Sequence, residues 1–109
     1  MVSVQVDEEK IKEMAYELSQ EQKSWDDFVW LFAEAELRLK PAYILGKLYK
    51  DGDESRTVDI DADAIVDQPS EDDIRQLAEE ISKQGPSVQD LHWFIAERKF
   101  IYDQVKGGM

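Results

Sequence analysis

Cysteine is absent from the 109 residues of the chain, which excludes disulfide bonds, thiolate metal sites and cysteine nucleophiles. The N-terminal residues lack the basic stretch and the apolar run that form a signal peptide. No segment approaches the roughly 20 apolar residues that cross a bilayer. We therefore expect a cytoplasmic protein that does not enter a membrane.

Positive charge is scarce. The chain has 13 Lys and Arg residues against 25 Asp and Glu residues, a net charge of −12. Because phosphate backbones and anionic lipids attract Lys and Arg, this balance disfavours direct binding to nucleic acids and to membrane surfaces. It is compatible with high solubility, with a basic protein partner, or with imitation of a nucleic acid.

Residues that support catalysis are also few. The chain has one histidine, His92, and neither a glycine-rich phosphate loop nor a Ser/His/Asp set can be assembled from its sequence. We expect no enzyme activity and no cofactor. Since 42% of the residues are hydrophobic, the chain can nevertheless bury one modest core.

An internal repeat organises the sequence. Shifting the chain by 63 residues places Ile11–Leu37 on Ile74–Phe100 without a gap. Nine of the 27 pairs are identical: Ile11/Ile74, Ala15/Ala78, Glu17/Glu80, Ser19/Ser82, Ser24/Ser87, Asp27/Asp90, Trp30/Trp93, Ala33/Ala96 and Glu34/Glu97. The chain is therefore two copies of one unit.

Each copy predicts two helices. The first helix carries an apolar stripe at helical spacing, and the second begins at a serine cap, Ser24 or Ser87. The second helix is apolar on two faces, which is typical of a helix buried between layers. The stripes of the first helices are Ile11, Met14, Ala15 and Leu18, and Ile74, Leu77, Ala78 and Ile81.

We predict a mainly α fold in which two tandem helical hairpins, residues 7–40 and 70–106, pack as a pseudo-twofold four-helix assembly. The whole chain, residues 1–109, then forms a single domain.

The connector, residues 41–69, differs from the repeats. Pro41 should end or kink the first long helix, because a proline pushes the preceding residue out of helical angles. A further short helix over 41–50 would use Ile44, Leu45 and Leu48. In the acidic part that follows, Val58, Ile60, Ala62 and Ala64 alternate with aspartates, which predicts a short exposed strand. This strand could pair with Val2, Val4 and Val6 in a small two-stranded ribbon.

The repeats resemble a family of short bacterial domains, the one numbered 2934 in the domain-of-unknown-function series. The resemblance depends on a helix with Ile, a basic residue, Ala, Tyr and Leu, and on a second helix with Trp, Ala, Glu and Leu. It implies helical hairpins and no assigned activity. Copy two departs from the pattern at Glu79, and both copies lack the family's Arg- and Gly-rich loop. The matching residues are Ile11, Lys12, Ala15, Tyr16, Leu18, Trp30, Ala33, Glu34 and Leu37, then Ile74, Arg75, Ala78, Ile81, Trp93, Ala96, Glu97 and Phe100.

Metal sites find little support. Asp59, Asp61 and Asp63 have the spacing of the first ligands of a calcium loop, but the glycine and glutamate that such a loop needs further on are absent. Glu34 and Glu97 occupy equivalent helix positions without the histidines of a two-metal site. Glu34 and Arg38 instead predict an ion pair one turn apart.

The strongest candidate site is aromatic. Trp30 and Trp93 either pack in the core or form an exposed patch with Tyr16, Trp25, Leu37 and Phe100; His92, beside Trp93, either fills space or contacts a partner.

We expect a non-enzymatic interaction module, such as a regulator, adaptor or assembly factor, that binds a protein partner. A basic partner would complement the negative charge of this chain. A homodimer through the aromatic face is another reading. The alternatives are a nucleic-acid mimic that inhibits a basic DNA-binding protein, and a small metal-binding protein.

Overall fold

The computed structural model describes residues 2–42 and 57–107. This part of the chain is mainly helical, with a small two-stranded sheet, as predicted. The strands and α-helices are β1 (Val2–Gln5), α1 (Glu8–Ser19), α2 (Trp25–Leu39), β2 (Thr57–Ile60), α3 (Glu71–Gln84) and α4 (Val88–Lys106).

Each α-helix begins at a polar side chain that accepts a hydrogen bond from the backbone N–H three residues further on. These caps satisfy N–H groups that have no partner within the helix. At the end of α3 the chain turns through a left-handed residue, Gly85, where φ is +62° and a side chain would be strained. The capping residues are Asp7, Ser24, Ser70 and Ser87.

The two long helices, α2 and α4, lie side by side and parallel. The two residues of each contacting pair are separated by almost the same number of positions in the chain. In two antiparallel helices this separation would instead change steadily along the contact. The pairs are Phe28 with His92, Phe32 with Phe94, and Glu36 with Arg98. This parallel arrangement is compatible with the predicted pseudo-twofold relation between the two copies.

The first helix of each copy covers the long helix of the other copy. The helix α1 packs on α4, and α3 packs on α2, whereas the two helices of one copy contact each other little. The predicted hairpins are thus open. The two apolar faces of each long helix explain this arrangement. One face packs on the long helix of the other copy, and the other face is covered by the first helix of that copy.

The predicted ribbon is confirmed by the antiparallel pairing of β1 with β2, in which Val4 lies opposite Val58. Contrary to the expectation of an exposed strand, Val58 and Ile60 are buried. The strand ends at Ile60, and the residues Ala62–Ala64 form a 3-10 turn rather than its continuation. The side chain of Asp61 accepts from the backbone N–H of Asp63 and caps this turn, which ends the alternation.

The helix α2 ends before Pro41, as predicted, but Lys40 keeps helical angles, with φ −51° and ψ −48°. The chain tightens there into a 3-10 turn, Lys40–Ala42. The predicted shift of residue 40 out of helical angles is therefore wrong. Pro41 itself is tolerated there, because a proline in the first turn of a helix has no N–H bond to lose. Ile44, Leu45 and Leu48 of the predicted short helix lie outside the described residues.

Candidate functional site

The aromatic face predicted as a candidate site is a helix-packing face. Trp30 and Trp93 are half-buried and pack against the core. On the same face, Leu37 is also half-buried and lies beside Ser70 at the start of α3. In copy two, Phe100 is buried beside the start of α1, which corrects its assignment to an exposed patch. The face is covered because α1 and α3 need an apolar surface to pack on.

His92 is buried as well, so it does not reach a partner's surface. Its ring meets the ring of Phe28 edge to face, with 4.6 Å between centroids. Among the described residues, no group forms a hydrogen bond with its Nε2 atom. The equivalent residue of copy one is the buried Val29, so His92 fills an apolar position and is removed from the candidate site.

Tyr16 is the most exposed large apolar residue among those described, at 67%. It lies on the outer face of α1 between Glu13 and Glu17, and shares a shallow depression with Glu9 and Lys12. An aromatic ring in this setting gains nothing from the core, so it is available to a partner.

A second accessible apolar area lies where α2 and α4 begin. Trp25 and Val88 are the first residues after the serine caps, at equivalent positions of the two copies. Val88 is 39% exposed, and Trp25 is half-buried. The indole Nε1–H of Trp25 donates to the carbonyl of Pro86 over 2.8 Å, which joins the two helix beginnings. Because α2 and α4 are parallel, both apolar residues lie at the same end of the molecule.

Three carboxylates lie in the same first turns as these apolar residues. Asp26, Asp27 and Asp90, in the first turns of α2 and α4, are all exposed. Asp27 and Asp90 follow the caps, and acids here also favour the positive ends of the two helix dipoles. We call the whole area the cap-end surface: Trp25, Pro86 and Val88, together with Asp26, Asp27 and Asp90.

A charged cluster lies between the long helices. The guanidinium of Arg98, whose side chain is 11% exposed, pairs with Glu36 at 3.2 Å and with Glu97 at 2.9 Å. It also lies over the stacked rings of Phe32 and Phe94, at 5.0 and 5.4 Å from their centroids. This set balances the buried charge of Glu97, which gives that carboxylate a structural role.

Asp67 fastens the segment before α3 to the long helices. Its carboxylate accepts from the Tyr102 hydroxyl at 2.8 Å and pairs with Lys106 at 3.4 Å, while its backbone carbonyl accepts from Arg38. The hydrogen bond from Tyr102, followed by the charge of Lys106, lowers the pKa of Asp67 against the opposing effect of desolvation. The same hydrogen bond raises the pKa of Tyr102 above its usual value.

The acidic residues considered as metal ligands are engaged elsewhere. Asp59 accepts from the Ser3 hydroxyl at 2.7 Å, and Glu34 forms the predicted ion pair with Arg38 at 3.5 Å. Within residues 2–42 and 57–107, no three His, Asp or Glu side chains are grouped so that they could hold a metal ion.

In the described part of the chain, no helix combines the length and the apolar character that crossing a bilayer requires. Comparison of the chain with protein families, with curated proteins and with solved structures finds no match.

The sequence analysis named Trp25 and Tyr16 as candidates but did not name Pro86 and Val88, which the structure adds to the candidate surface. The available signal was the repeat itself: both copies place a large apolar residue directly after the serine cap, where a helix is ordinarily exposed.

Proposed function

We propose that the protein is a non-enzymatic interaction module, acting as a regulator, adaptor or assembly factor, that binds a basic protein partner through the cap-end surface. The observation that carries the proposal is the exposure of Val88 at the same end of the molecule as Trp25, with exposed carboxylates in the first turns of both helices. Neither first-turn position needs a large apolar residue for the helix to form. A tryptophan at the centre of a surface is a frequent source of binding energy.

The charges around the surface support a basic partner. A partner with Lys or Arg at the edge of its contact area would meet Asp26, Asp27 and Asp90, while its apolar centre would cover Val88. Such charges accelerate association and select the partner, whereas the apolar centre slows dissociation. Tyr16 adds to this reading: α1 runs antiparallel to α4, so Tyr16 lies toward the same end of the molecule.

Imitation of a nucleic acid has less support. It needs carboxylates on one continuous face, whereas the acids of α1 and α3 lie on helices that pack on different partners, α4 and α2. The capture experiment described next can still favour this alternative. Capture of a DNA-binding protein that is released when DNA is added would support imitation of a nucleic acid.

The test compares two valines with equal exposure, 39%. Val88 begins α4, whereas the backbone N–H of Val66 donates to the carbonyl of Arg38 near the end of α2. Val88→Lys places a positive charge in the cap-end surface, and Val66→Lys places the same charge away from it. Tagged wild type and both variants are used for capture from lysate of the source organism, followed by mass spectrometry. We expect a basic protein to be retained by the wild type and by Val66→Lys and lost with Val88→Lys. Equal capture by all three proteins would reject the cap-end surface.

A further inference from the structure

A small cavity lies between α2 and α4, near their C-terminal ends and away from the cap-end surface. It has a volume of about 100 Å³, and its wall contains three basic side chains, Arg38, Arg98 and Lys99. These are three of the 13 basic residues of a chain whose net charge is −12. The rest of the lining is Ala35, Tyr102 and Asp103.

The cavity exists because the two copies differ at this place. Arg98 occupies the position that Ala35 has in copy one, and Lys99 occupies the position of Glu36. The short side chain of Ala35 leaves the space open, and copy two contributes positive charge where copy one has none.

Two of the basic side chains are held in place. Arg38 donates from Nε to the carbonyl of Asp67 and lies over the ring of Tyr102, and Arg98 is fixed by its ion pairs and by two aromatic rings. Donors fixed in this way bind an acceptor at a low entropic cost.

Lys99 is the basic side chain of the cavity that is not engaged elsewhere in the described part of the chain. Lys99 makes no hydrogen bond or ion pair within the described residues, whereas the guanidinium groups of Arg38 and Arg98 pair with carboxylates. The carboxylate in the lining is that of Asp103. A lysine ammonium has three N–H donors and no acceptor, so an oxyanion in the cavity would complete the hydrogen bonding of Lys99.

We propose that this cavity binds the oxyanion group of a small ligand, either a phosphate or a carboxylate. Its volume is about 100 Å³. That is enough for one such group and too small for a whole metabolite, whose remainder would lie outside. Arg and Lys are the side chains that bind these groups through charge-assisted hydrogen bonds. Lys99 supplies the charge, because acids already balance those of Arg38 and Arg98.

The test titrates inorganic phosphate and, separately, acetate into the full-length protein at constant ionic strength, with chloride as the reference salt. Binding is followed by calorimetry and by the midpoint of thermal unfolding. Lys99→Gln removes the unpaired charge, and Ala35→Leu fills the cavity. Lys83→Gln, on the exposed side of α3, is the matched control.

We expect saturable binding of phosphate or acetate to the wild type and to Lys83→Gln. Lys99→Gln should weaken it about tenfold or more, the effect of losing a charged hydrogen bond. Whichever anion binds identifies the ligand's group. Equal responses to both anions and to chloride would overturn the proposal, and so would unchanged binding in Lys99→Gln. If Ala35→Leu fails to fold, Lys99→Gln decides the question, because Lys99 is exposed.

Discussion

The indole of Trp25 donates a hydrogen bond to the carbonyl of Pro86, 61 positions further along the chain. This bond links the beginning of α2 to the beginning of α4 and keeps the two apolar first-turn positions together. It therefore contributes both to the joining of the copies and to the shape of the cap-end surface.

Trp25→Phe should remove this bond while keeping an aromatic ring. We expect the free energy of unfolding to fall by about 1 kcal/mol, the usual net value of one hydrogen bond. Urea denaturation followed by circular dichroism measures the change. An unchanged midpoint would mean that the bond does not stabilise the joined helix beginnings.

Trp93→Ala tests whether the aromatic face packs the helices. Because Trp93 packs against the core, its truncation should lower the free energy of unfolding by about 3 kcal/mol. Trp30→Ala, the equivalent change in copy one, should have an effect of similar size. A variant that unfolds at the wild-type urea concentration would instead favour a role for these tryptophans at the surface.

His92→Leu should stabilise the protein. The substitution removes a buried nitrogen that has no hydrogen-bond partner among the described residues, and it keeps an apolar side chain of similar size against Phe28. We expect the free energy of unfolding to rise by about 1 kcal/mol. Differential scanning calorimetry would detect the higher midpoint, and a lower one would show that the imidazole makes a favourable contact.

Tyr102→Phe should lower stability over a defined pH range. The pKa of Asp67 is lowered from 3.8, so its contribution is present above that value and disappears as the solution becomes more acidic. The pKa of Tyr102 is raised from 10.0, so its contribution is present below that value and is lost as the pH rises through the folded-state pKa. Unfolding midpoints of wild type and variant should differ at neutral pH and converge in acid. A pH-independent difference would show that the hydroxyl acts without the Asp67 carboxylate.

Much of the fold follows from the sequence because its signals are local or repeated. The caps at Ser24, Ser70 and Ser87 depend on residues three apart, and the ribbon depends on the alternation around Val4 and Val58. The packing of α1 on α4 and of α3 on α2 does not follow, because apolar faces of similar composition do not specify which copy covers them.

The candidate site was predictable only in part, for a related reason. Trp30 and Trp93 have the composition of a binding surface, but burial depends on which helix lies over them. Val88 carries little weight in a sequence, since a single valine is common on protein surfaces. It becomes informative when the parallel helices place it beside Trp25. The basic cavity likewise needs the alignment of Ala35 with Arg98, which joins residues far apart in the chain.

Site-specific photo-cross-linking tests the central claim most directly. A photoreactive amino acid replaces Val88 in one protein and Val66 in another, and each is irradiated in cells of the source organism. We predict one prominent adduct with a basic protein from position 88 and none from position 66. If position 88 gives no adduct, or if both positions give the same adducts, the cap-end surface is not where this protein binds its partner.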